Sequence, residues 1–382
     1  MPSLEDYRNQ IDALDQQLLK LFCQRMDLAS AIGAYKREHQ LPVFNPTRER
    51  EILQRMTTQS PAELGIYSRV LFETIFDLSR SRQDLASPGA PDMQAMITNA
   101  LAATPQLFPA DSTVAVQGVE GAYSQQAASR LFPRGSISFF KNWDGVFNAV
   151  EKGLCQYGIL PIENSTNGTV NQVYDLMRNH NFYIVRSVKL QINHQLLANP
   201  DTNPLDITEV ISHEQALAQC SKYLKAHFPK AKLTPCPNTA LAAQQVAESQ
   251  RKDVAAICSG ACKQLYGLQT IADQIQNSDY NYTRFICIAP KMQIFPGADR
   301  ISLMVSVPHT PGSLYRLMSR FSALGVNLLK LESRPLPGRN FEFMFYFDFE
   351  ASVYSPEIVT LLSQLAASPD VFVLFGCYSE IN

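Results

Sequence analysis

The chain has 382 residues, of which 46% are hydrophobic and 18% charged, and its formal net charge at pH 7 is −2. This length favours two or three domains, and the small net charge gives no reason to expect a nucleic acid or an anionic membrane as partner. No apolar run approaches the roughly 20 residues that cross a bilayer. The charged residues Glu5, Asp6 and Arg8 argue against a secretory signal. We therefore expect a globular, cytoplasmic protein.

The eight cysteines are scattered, and only Cys258 and Cys262 lie close together. Neither a Cys-x-x-Cys pair nor a cysteine and histidine cluster with zinc spacing occurs in the sequence. We expect buried, reduced cysteines, and we expect neither a metal nor an organic cofactor.

Residues 1–87 are predicted to form an all-helical domain. Asn45 and Pro46 are typical of the N-cap and first residue of a second helix, and a third helix is predicted around residues 67–85. Three helices in so short a segment have little core of their own, so we expect an intertwined homodimer, or a higher homo-oligomer. The first helix is predicted from apolar residues spaced three and four apart, which are Leu4, Ile11, Leu14, Leu18, Leu21, Leu28 and Ile32.

Several polar side chains share the apolar faces of these helices, because each residue turns the chain by about 100° around the axis. Any one of them could be a snorkelling side chain at the edge of the stripe. Buried charge is unfavourable unless it is paired or neutralised by a ligand. Since cations outnumber the one acid, a small dicarboxylate is the predicted ligand. The set consists of Arg25, Lys36, Arg48, Glu49, Ser79 and Gln83.

Together with Arg8 and Asn45, this set resembles the pocket of the all-helical chorismate mutases. The resemblance implies that Arg25 and Arg48 bind the carboxylates of chorismate, with Arg8 contributed by a second chain. It also implies that Lys36 and Gln83 contact the ether oxygen of the breaking bond and that Glu49 binds the ring hydroxyl. Ser79 is among the implied substrate-binding residues. The family often has aspartate where this chain has Asn45, so a substrate contact from that position stays open.

Residues 88–110 are predicted to be a linker, with or without a short helix. From residue 111 short β-rich runs alternate with helical ones, which indicates an α/β domain over residues 111–290. The predicted strands are Thr113–Gln117, Tyr157–Ile162, Phe182–Val188, Glu209–Ser212 and Val254–Cys258.

Four polar or glycine-rich segments in this domain point to a site. Gly118–Ser124 follows a strand and opens a helix, which favours an anion-binding helix N-terminus over a dinucleotide loop, because it lacks the G-x-G-x-x-G spacing. Singly, the segments 161–168, 212–219 and 281–285 could be loops. Together with Leu265–Leu268 they resemble the prephenate dehydratases, which implies two α/β lobes with the substrate between them.

By this resemblance Thr283 is the essential hydroxyl, which donates to the departing oxygen of prephenate. Glu163 is the alternative proton source, and Arg284 would bind a substrate carboxylate. His213 is interpreted as structural. The other predicted substrate-binding residues are Ser124, Asn164, Ser212, Gln219 and Phe285.

Residues 297–382 are predicted to follow the order strand, helix, strand, strand, helix, strand, which is that of an α+β ferredoxin-like unit. The segment Gly312–Tyr315 and the residues Glu332, Ser333 and Arg334 resemble the phenylalanine site of ACT regulatory domains, with Leu314 also part of it. Tyr315 departs from the family pattern. The predicted elements are Ile301–Val307, Gly312–Leu324, Asn327–Ser333, Phe341–Phe349, Pro356–Ala367 and Val371–Cys377.

The three regions together resemble the bifunctional chorismate mutase/prephenate dehydratases, or P-proteins. The resemblance implies that chorismate is converted to prephenate and prephenate to phenylpyruvate, with feedback inhibition by phenylalanine. A mutase joined to a prephenate dehydrogenase would need a dinucleotide fingerprint, which is absent. A two-lobed solute-binding or sensor protein would need neither Thr283 nor the inward cations.

Overall fold

The structure, a computed structural model, describes residues 2–42, 44–84, 92–335, 343–367 and 371–381. The chain divides into two compact units. The first unit contains residues 1–99 and 303–374, and the second contains residues 100–302 and 375–382. These units do not follow the predicted domain limits, which stay predictions.

The helices agree closely with those predicted in the N-terminal region and at the C-terminus. In chain order they are α1 (Leu4–Glu38), α2 (Pro46–Gln59), α3 (Gly65–Asp84), α4 (Met93–Ala103), α5 (Tyr123–Leu131), α6 (Trp143–Glu151), α7 (Asn171–Met177), α8 (Glu214–Gln219), α9 (Ser221–His227), α10 (Thr239–Ser249), α11 (Ala261–Tyr266), α12 (Ser313–Ala323) and α13 (Pro356–Ala366). The helix α4 lies within the segment predicted as a linker.

The strands include all those predicted and several more, although the start predicted for one of them, Phe341, lies outside the described residues. In chain order they are β1 (Thr113–Gln117), β2 (Ser136–Phe140), β3 (Tyr157–Asn164), β4 (Gly168–Thr169), β5 (Tyr183–Gln191), β6 (Gln195–Ala198), β7 (Glu209–Ser212), β8 (Lys232–Pro235), β9 (Val254–Cys258), β10 (Gln269–Ala272), β11 (Tyr282–Ala289), β12 (Arg300–Ser306), β13 (Asn327–Pro335), β14 (Phe343–Glu350) and β15 (Phe372–Ile381).

Side chains cap the first two helices. The Ser3 hydroxyl accepts a hydrogen bond from the Asp6 N–H at 3.2 Å, and the Asp6 carboxylate accepts from the Ser3 N–H at 2.7 Å, which forms a capping box at the start of α1. The Asn45 side-chain oxygen accepts from the Arg48 N–H at 3.1 Å. The prediction that Asn45 caps the second helix is therefore confirmed.

Within the first unit, α1 packs against α3 through its C-terminal half. Ala29 and Gly33 are its buried residues, and a Cβ atom added at Gly33 would lie 3.2 Å from the Cα atom of Gln83. Glycine thus lets the two helices approach closely. Residues 2–20 are all exposed, so the apolar stripe on the first half of α1 is not covered within one chain. The reason is that α3 runs beside only the later turns of α1.

The strands that contribute to the first unit pair in the order β13, β14, β12, β15. The predicted order of strand, helix, strand, strand, helix, strand is present from β12 to β15. The strand β13 lies at the edge of this sheet, and alternate residues along it, such as Leu329 and Leu331, are exposed.

The second unit contains two sheets, each with its own apolar core. The first has the order β15, β5, β11, β3, β1, β2, with β4 paired to β3, and the second has the order β10, β6, β9, β7, β8. We call them the first and second lobe. The chain crosses between them twice, through residues 192–194 and residues 273–281, and these crossings are joined by the Ile192 N–H, which donates to the Asn281 carbonyl oxygen at 2.7 Å. A two-lobed α/β fold is therefore present.

The end of β15 belongs to the first lobe. Its residues Ser379–Ile381 pair in parallel with Arg186–Val188 of β5. A Cβ atom at Gly376 would lie 2.1 Å from the Ile184 carbonyl oxygen, so only glycine allows this approach.

Candidate active sites

The first candidate site lies on the inner face of α1 and α3. Arg25 donates hydrogen bonds to the Ser79 hydroxyl and, at 3.5 Å, to the Ile75 carbonyl oxygen, and its guanidinium lies 5.6 Å from the centre of the Phe76 ring. Burial lowers the pKa of Arg25, while the charge of Glu49 opposes this shift. Arginine still keeps its charge near neutral pH. The site therefore offers a partly buried cation.

Gln83 is buried in the same face, with 8% of its surface exposed. Its Oε1 atom has no hydrogen-bond partner among the described residues. Lys36, which is partly buried, follows Arg25 by about three helical turns and so lies on the same side of α1. A buried amide normally has a partner, so the vacant bonding capacity of Gln83 points to a polar ligand.

Arg80 and Asp77 also belong to this site, and the prediction missed them. The Arg80 guanidinium pairs with the carboxylates of Glu49 and Asp77 and lies 5.3 Å from the centre of the Phe44 ring. Asp77 Oδ2 lies 3.0 Å from Arg316 Nε. The helical periodicity that selected Gln83 would also have selected Arg80, one turn earlier on α3.

Two predicted residues are not brought to this face. Arg8 and Arg48 are exposed, and each pairs with a neighbour on its own helix, Glu5 at 3.6 Å and Glu51 at 3.3 Å. Such exposed pairs contribute little to stability. The prediction that Arg48 lies on a buried face is wrong within one chain: Arg48 is exposed and pairs along its own helix, whereas its neighbour Glu49 is the residue that turns toward Arg80 of α3.

The second candidate site lies where the two lobes are joined. The Asn164 side-chain oxygen accepts from the N–H groups of Thr166 and Asn167, at 3.1 and 2.9 Å. Its amide nitrogen must therefore face the other way, where it lies 3.0 Å from the Thr283 hydroxyl oxygen and 2.9 Å from Asn281 Oδ1. The structure thus brings Asn164 and Thr283 into direct contact.

Gln219, from the second lobe, reaches the same group of side chains. Its Oε1 atom accepts from Asn281 Nδ2 at 3.0 Å and lies 2.9 Å from His194 Nε2. Sequence reasoning did not select His194, and it singled out Asn281 only as the first residue of the segment 281–285, without a role. Each lies in an inter-lobe crossing beside other polar residues, and no periodicity distinguishes it from them.

Glu163 and Arg284 lie on the other face of the β3–β11 pair. Thr283 is opposite Asn164 in the register, and Arg284 is opposite Glu163. Because successive strand residues point to opposite faces, Glu163 does not share the face of Thr283. The prediction that Glu163 is the alternative proton source is therefore not supported by its position.

Arg284 is bound within the protein. Its Nε atom lies 2.9 Å from Glu380 Oε2, and its Nη2 donates to the Tyr378 hydroxyl at 2.6 Å. Burial alone would raise the pKa of Glu380, but the Lys189 hydrogen bond and the charges of Arg284 and Arg300 outweigh it and hold that pKa below its usual value. We correct the prediction that Arg284 binds substrate: in this arrangement it compensates a buried carboxylate.

Phe285 and Ser212 are also enclosed by the fold. Phe285 is 2% exposed and packs in the core of the first lobe, so the prediction that it contacts substrate is wrong. The Ser212 hydroxyl is fully buried and donates to the Ile257 carbonyl oxygen at 2.6 Å, which corrects its predicted direct contact. His213, interpreted as structural, accepts from the Gln215 N–H at 3.3 Å and caps α8.

The glycine-rich segment places Ser124 in the first turn of α5, where it is buried. Gly121 has a φ of +90°, and a Cβ atom there would lie 2.9 Å from Cys262 Sγ. The Ser259 hydroxyl donates to the Gly121 carbonyl oxygen at 3.0 Å. The segment is therefore held closely against the second lobe.

The predicted effector residues lie around α12 and on β13. Gly312 has a φ of +80° and precedes α12, and Leu314 is partly buried. Arg316 donates to the Pro311 carbonyl oxygen at 3.1 Å and to the Ser313 hydroxyl at 2.9 Å. The residues on β13 alternate: Glu332 and Arg334 are partly buried, and Ser333 is exposed.

Seven of the eight cysteines are buried, whereas Cys23 is exposed, which corrects that part of the prediction. Within the described ranges, three or more metal-ligating side chains do not cluster anywhere. None of the helices described combines the length and apolar character needed for a bilayer crossing.

The sequence matches the family models for chorismate mutase type II over residues 7–84 and for prephenate dehydratase over residues 114–293. It is 32% identical over 385 residues to the bifunctional chorismate mutase/prephenate dehydratase of Escherichia coli K12, an alignment that covers 98% of this chain and 96% of that relative. The chain belongs to the bifunctional chorismate mutase/prephenate dehydratase family. Both activities of the family are therefore assigned to it, which places it in phenylalanine biosynthesis.

About 70% of this chain also matches dehydratases that are not described as bifunctional with a mutase. The arogenate dehydratase/prephenate dehydratase 2 of Arabidopsis thaliana is 37% identical over 278 residues, which cover 69% of this chain and 72% of that protein. The crystal structure of an Arthrobacter aurescens prephenate dehydratase in complex with L-Phe is 26% identical, with a TM-score of 0.65, and covers 70% of this chain and 90% of that one. The two-lobed fold of this bifunctional enzyme is thus the prephenate dehydratase fold.

Proposed function

We propose that residues 1–87 rearrange chorismate to prephenate on the inner face of α1 and α3. This Claisen rearrangement needs no nucleophile and no proton transfer: the protein must hold the reactive conformer and stabilise negative charge on the ether oxygen. Gln83 donates to that oxygen, and Arg25, held by Ser79, binds a carboxylate. The observation that carries this assignment is the buried Gln83 amide with unused bonding capacity. An amide can turn its NH₂ group toward the ligand because its two ends have nearly the same shape.

The other residues of this pocket follow from the same geometry. Lys36 adds a second donor to the ether oxygen. Glu49, oriented by Arg80, accepts from the ring hydroxyl of chorismate. Asn45 uses its side chain as a helix cap, so its part in binding is secondary to its part in folding. Arg8 and Arg48 bind substrate once a second chain covers them.

The second chain is an intertwined partner in a homodimer. The first half of α1 exposes an apolar stripe that includes Leu14 and Leu18, with 57% and 61% of their surfaces exposed. A contiguous apolar surface of this kind marks an interaction site. Association would bury the stripe and carry Arg8 of each chain to the pocket of the other.

We expect the double variant Leu14→Asp, Leu18→Asp to dissociate the dimer and to abolish mutase activity, because charge on the stripe prevents its burial. Sedimentation equilibrium would measure the mass, and chorismate consumption the activity. The matched control is Asn9→Asp, Gln16→Asp, which adds the same charge to the opposite face of α1 and should stay dimeric. A stripe variant that remains dimeric with full mutase activity would refute the proposed interface.

Residues 111–290 convert prephenate to phenylpyruvate where the two lobes join. The bond between the ring and its carboxylate breaks and releases carbon dioxide, and its electron pair enters the ring. The hydroxyl leaves with the carbon–oxygen electron pair and takes a proton to become water. Thr283 donates a hydrogen bond to this departing oxygen. Asn164 orients the Thr283 hydroxyl and Gln219 orients the substrate, while Ser124 and Ser212 support the segments around it.

Residues 297–382 form an ACT domain with a ferredoxin-like fold, which binds phenylalanine and inhibits dehydration. The sheet order β13, β14, β12, β15 supports this fold. The proposed site combines Gly312 and Leu314 with Glu332, Ser333 and Arg334 across two chains, because β13 is an exposed edge strand that a second copy can cover. That a prephenate dehydratase binds L-Phe supports the choice of effector.

The function is tested by supplying purified protein with chorismate and analysing the products. We expect prephenate and then phenylpyruvate, with less phenylpyruvate when phenylalanine is added. Gly312→Ala should raise the phenylalanine concentration for half inhibition by about tenfold or more, because a positive φ strains alanine, while both basal activities persist. A nicotinamide-dependent product, or no product at all, would overturn the proposal.

A further inference from the structure

His194 and Asn281, which are not among the predicted site residues, both hydrogen-bond to Gln219. Asn281 also bonds to Asn164, which contacts Thr283, so these side chains form one hydrogen-bond chain. His194 and Asn281 are both 2% exposed, and they lie in the two separate crossings between the lobes. The direction of the chain follows from the contacts, because each amide has one donor end and one acceptor end.

The direction is fixed at Asn164. Its oxygen accepts from two backbone N–H groups, which cannot act as acceptors, so its nitrogen must donate to Asn281 Oδ1. Asn281 must then present its own nitrogen to Gln219 Oε1, at 3.0 Å. Gln219 Oε1 accepts this bond, so His194 must carry its proton on Nε2 to donate to the same oxygen at 2.9 Å.

The surroundings of His194 agree with this tautomer. Its Nδ1 atom is buried and has no hydrogen-bond partner in the described part of the chain, which suits an unprotonated ring nitrogen and not an N–H group. Burial also lowers the pKa of His194, against the Gln219 hydrogen bond. The ring is therefore neutral near pH 7, and its single N–H serves Gln219.

The consequence for the reaction is a fixed set of donors. With its oxygen held by two donors, Gln219 keeps its NH₂ group for a ligand. The Thr283 hydroxyl oxygen lies within bonding distance of the Asn164 nitrogen, so the hydroxyl proton is left for the substrate. Both ends of the chain thus present donors, as a departing hydroxyl and a carboxylate require.

We propose that His194 and Asn281 are positioning residues of the dehydration reaction, which hold Gln219 and Thr283 with their donors toward prephenate. The proposal rests on the dehydratase function assigned above. It gives each residue a defined requirement: His194 must donate through Nε2, and Asn281 must accept at one end and donate at the other.

The test compares His194→Leu with His194→Gln in the full-length enzyme, using supplied prephenate. Leucine cannot donate, so Gln219 can turn its oxygen to the substrate, and kcat should fall by about 10²-fold with a smaller change in KM. Glutamine can place an N–H near the position of Nε2 and should restore kcat to within about tenfold of the wild type. Mutase activity, measured on the same samples, should be unchanged in both.

Asn281→Asp provides a second variant of almost unchanged shape. It replaces the donor to Gln219 by an acceptor, so Gln219 must turn its NH₂ group inward, and kcat should fall by about 10²-fold. This variant still tests the positioning role if His194→Leu does not fold. Equal losses in His194→Leu and His194→Gln, or a wild-type kcat in Asn281→Asp, would overturn the proposal. If the unaltered enzyme made no phenylpyruvate from prephenate, the dehydratase assignment itself would fail.

Discussion

Thr283→Val is expected to lower kcat for dehydration of supplied prephenate by about 10²–10⁴-fold. Valine keeps the shape of the side chain and removes only the hydroxyl whose oxygen faces the Asn164 amide at 3.0 Å. The departing oxygen would then lose its donor at the moment when negative charge develops on it. The rate of phenylpyruvate formation measures the effect.

Two controls accompany this variant. Thr283→Ser keeps the hydroxyl and should retain most of the activity. Mutase activity on chorismate should stay at the wild-type level in both variants, because Thr283 belongs to the second unit and the mutase helices to the first. Persistent dehydration by Thr283→Val would exclude Thr283 as the donor.

Gln83→Met should lower mutase kcat by about 10²–10³-fold, which is the usual effect of removing one donor from a developing oxyanion. Methionine keeps an unbranched chain of similar length, so the close contact with Gly33 on α1 can persist. Chorismate consumption measures the loss, and dehydration of supplied prephenate is the internal control. An unchanged mutase rate would contradict the role given to the amide.

The variant Gln83→Glu tests, through the pH dependence of mutase activity, whether residue 83 acts as a hydrogen-bond donor. A carboxyl group donates only while it is protonated, and an unperturbed glutamate has a pKa near 4.3. Mutase activity of this variant should therefore be highest at low pH and decline as pH rises through the pKa of the carboxyl group, whereas the amide of the wild type donates throughout. A flat pH profile would mean that residue 83 does not donate to the reacting oxygen.

Much of the helical site could be predicted because helical periodicity is local. The spacing of apolar residues placed Arg25, Ser79 and Gln83 on inner faces, and the structure finds them partly or fully buried. This spacing does not show which helix or second chain covers a given helix face. The predicted burial of Arg48 therefore failed within one chain.

The dehydratase site depends on contacts that no local pattern encodes. The sequence singled out Thr283 and Asn164 as members of polar segments, but the β3–β11 register decides that Glu163 and Arg284 face away from them. Glu380, which compensates Arg284, lies almost a hundred residues later in the chain. His194 and Asn281 come close to each other only in the folded protein, where the two crossings between the lobes meet.

The final strand has a consequence for how regulation is studied. Glu380 lies at 2.9, 2.9 and 3.1 Å from Lys189, Arg284 and Arg300, and it belongs to the end of the proposed sensor region. A stop codon placed after residue 302 would remove this shared counter-ion together with the sensor, and an uncompensated buried charge costs about 3–5 kcal/mol. A truncated enzyme would then fail through misfolding, so desensitised forms are better sought by point substitution than by shortening the gene.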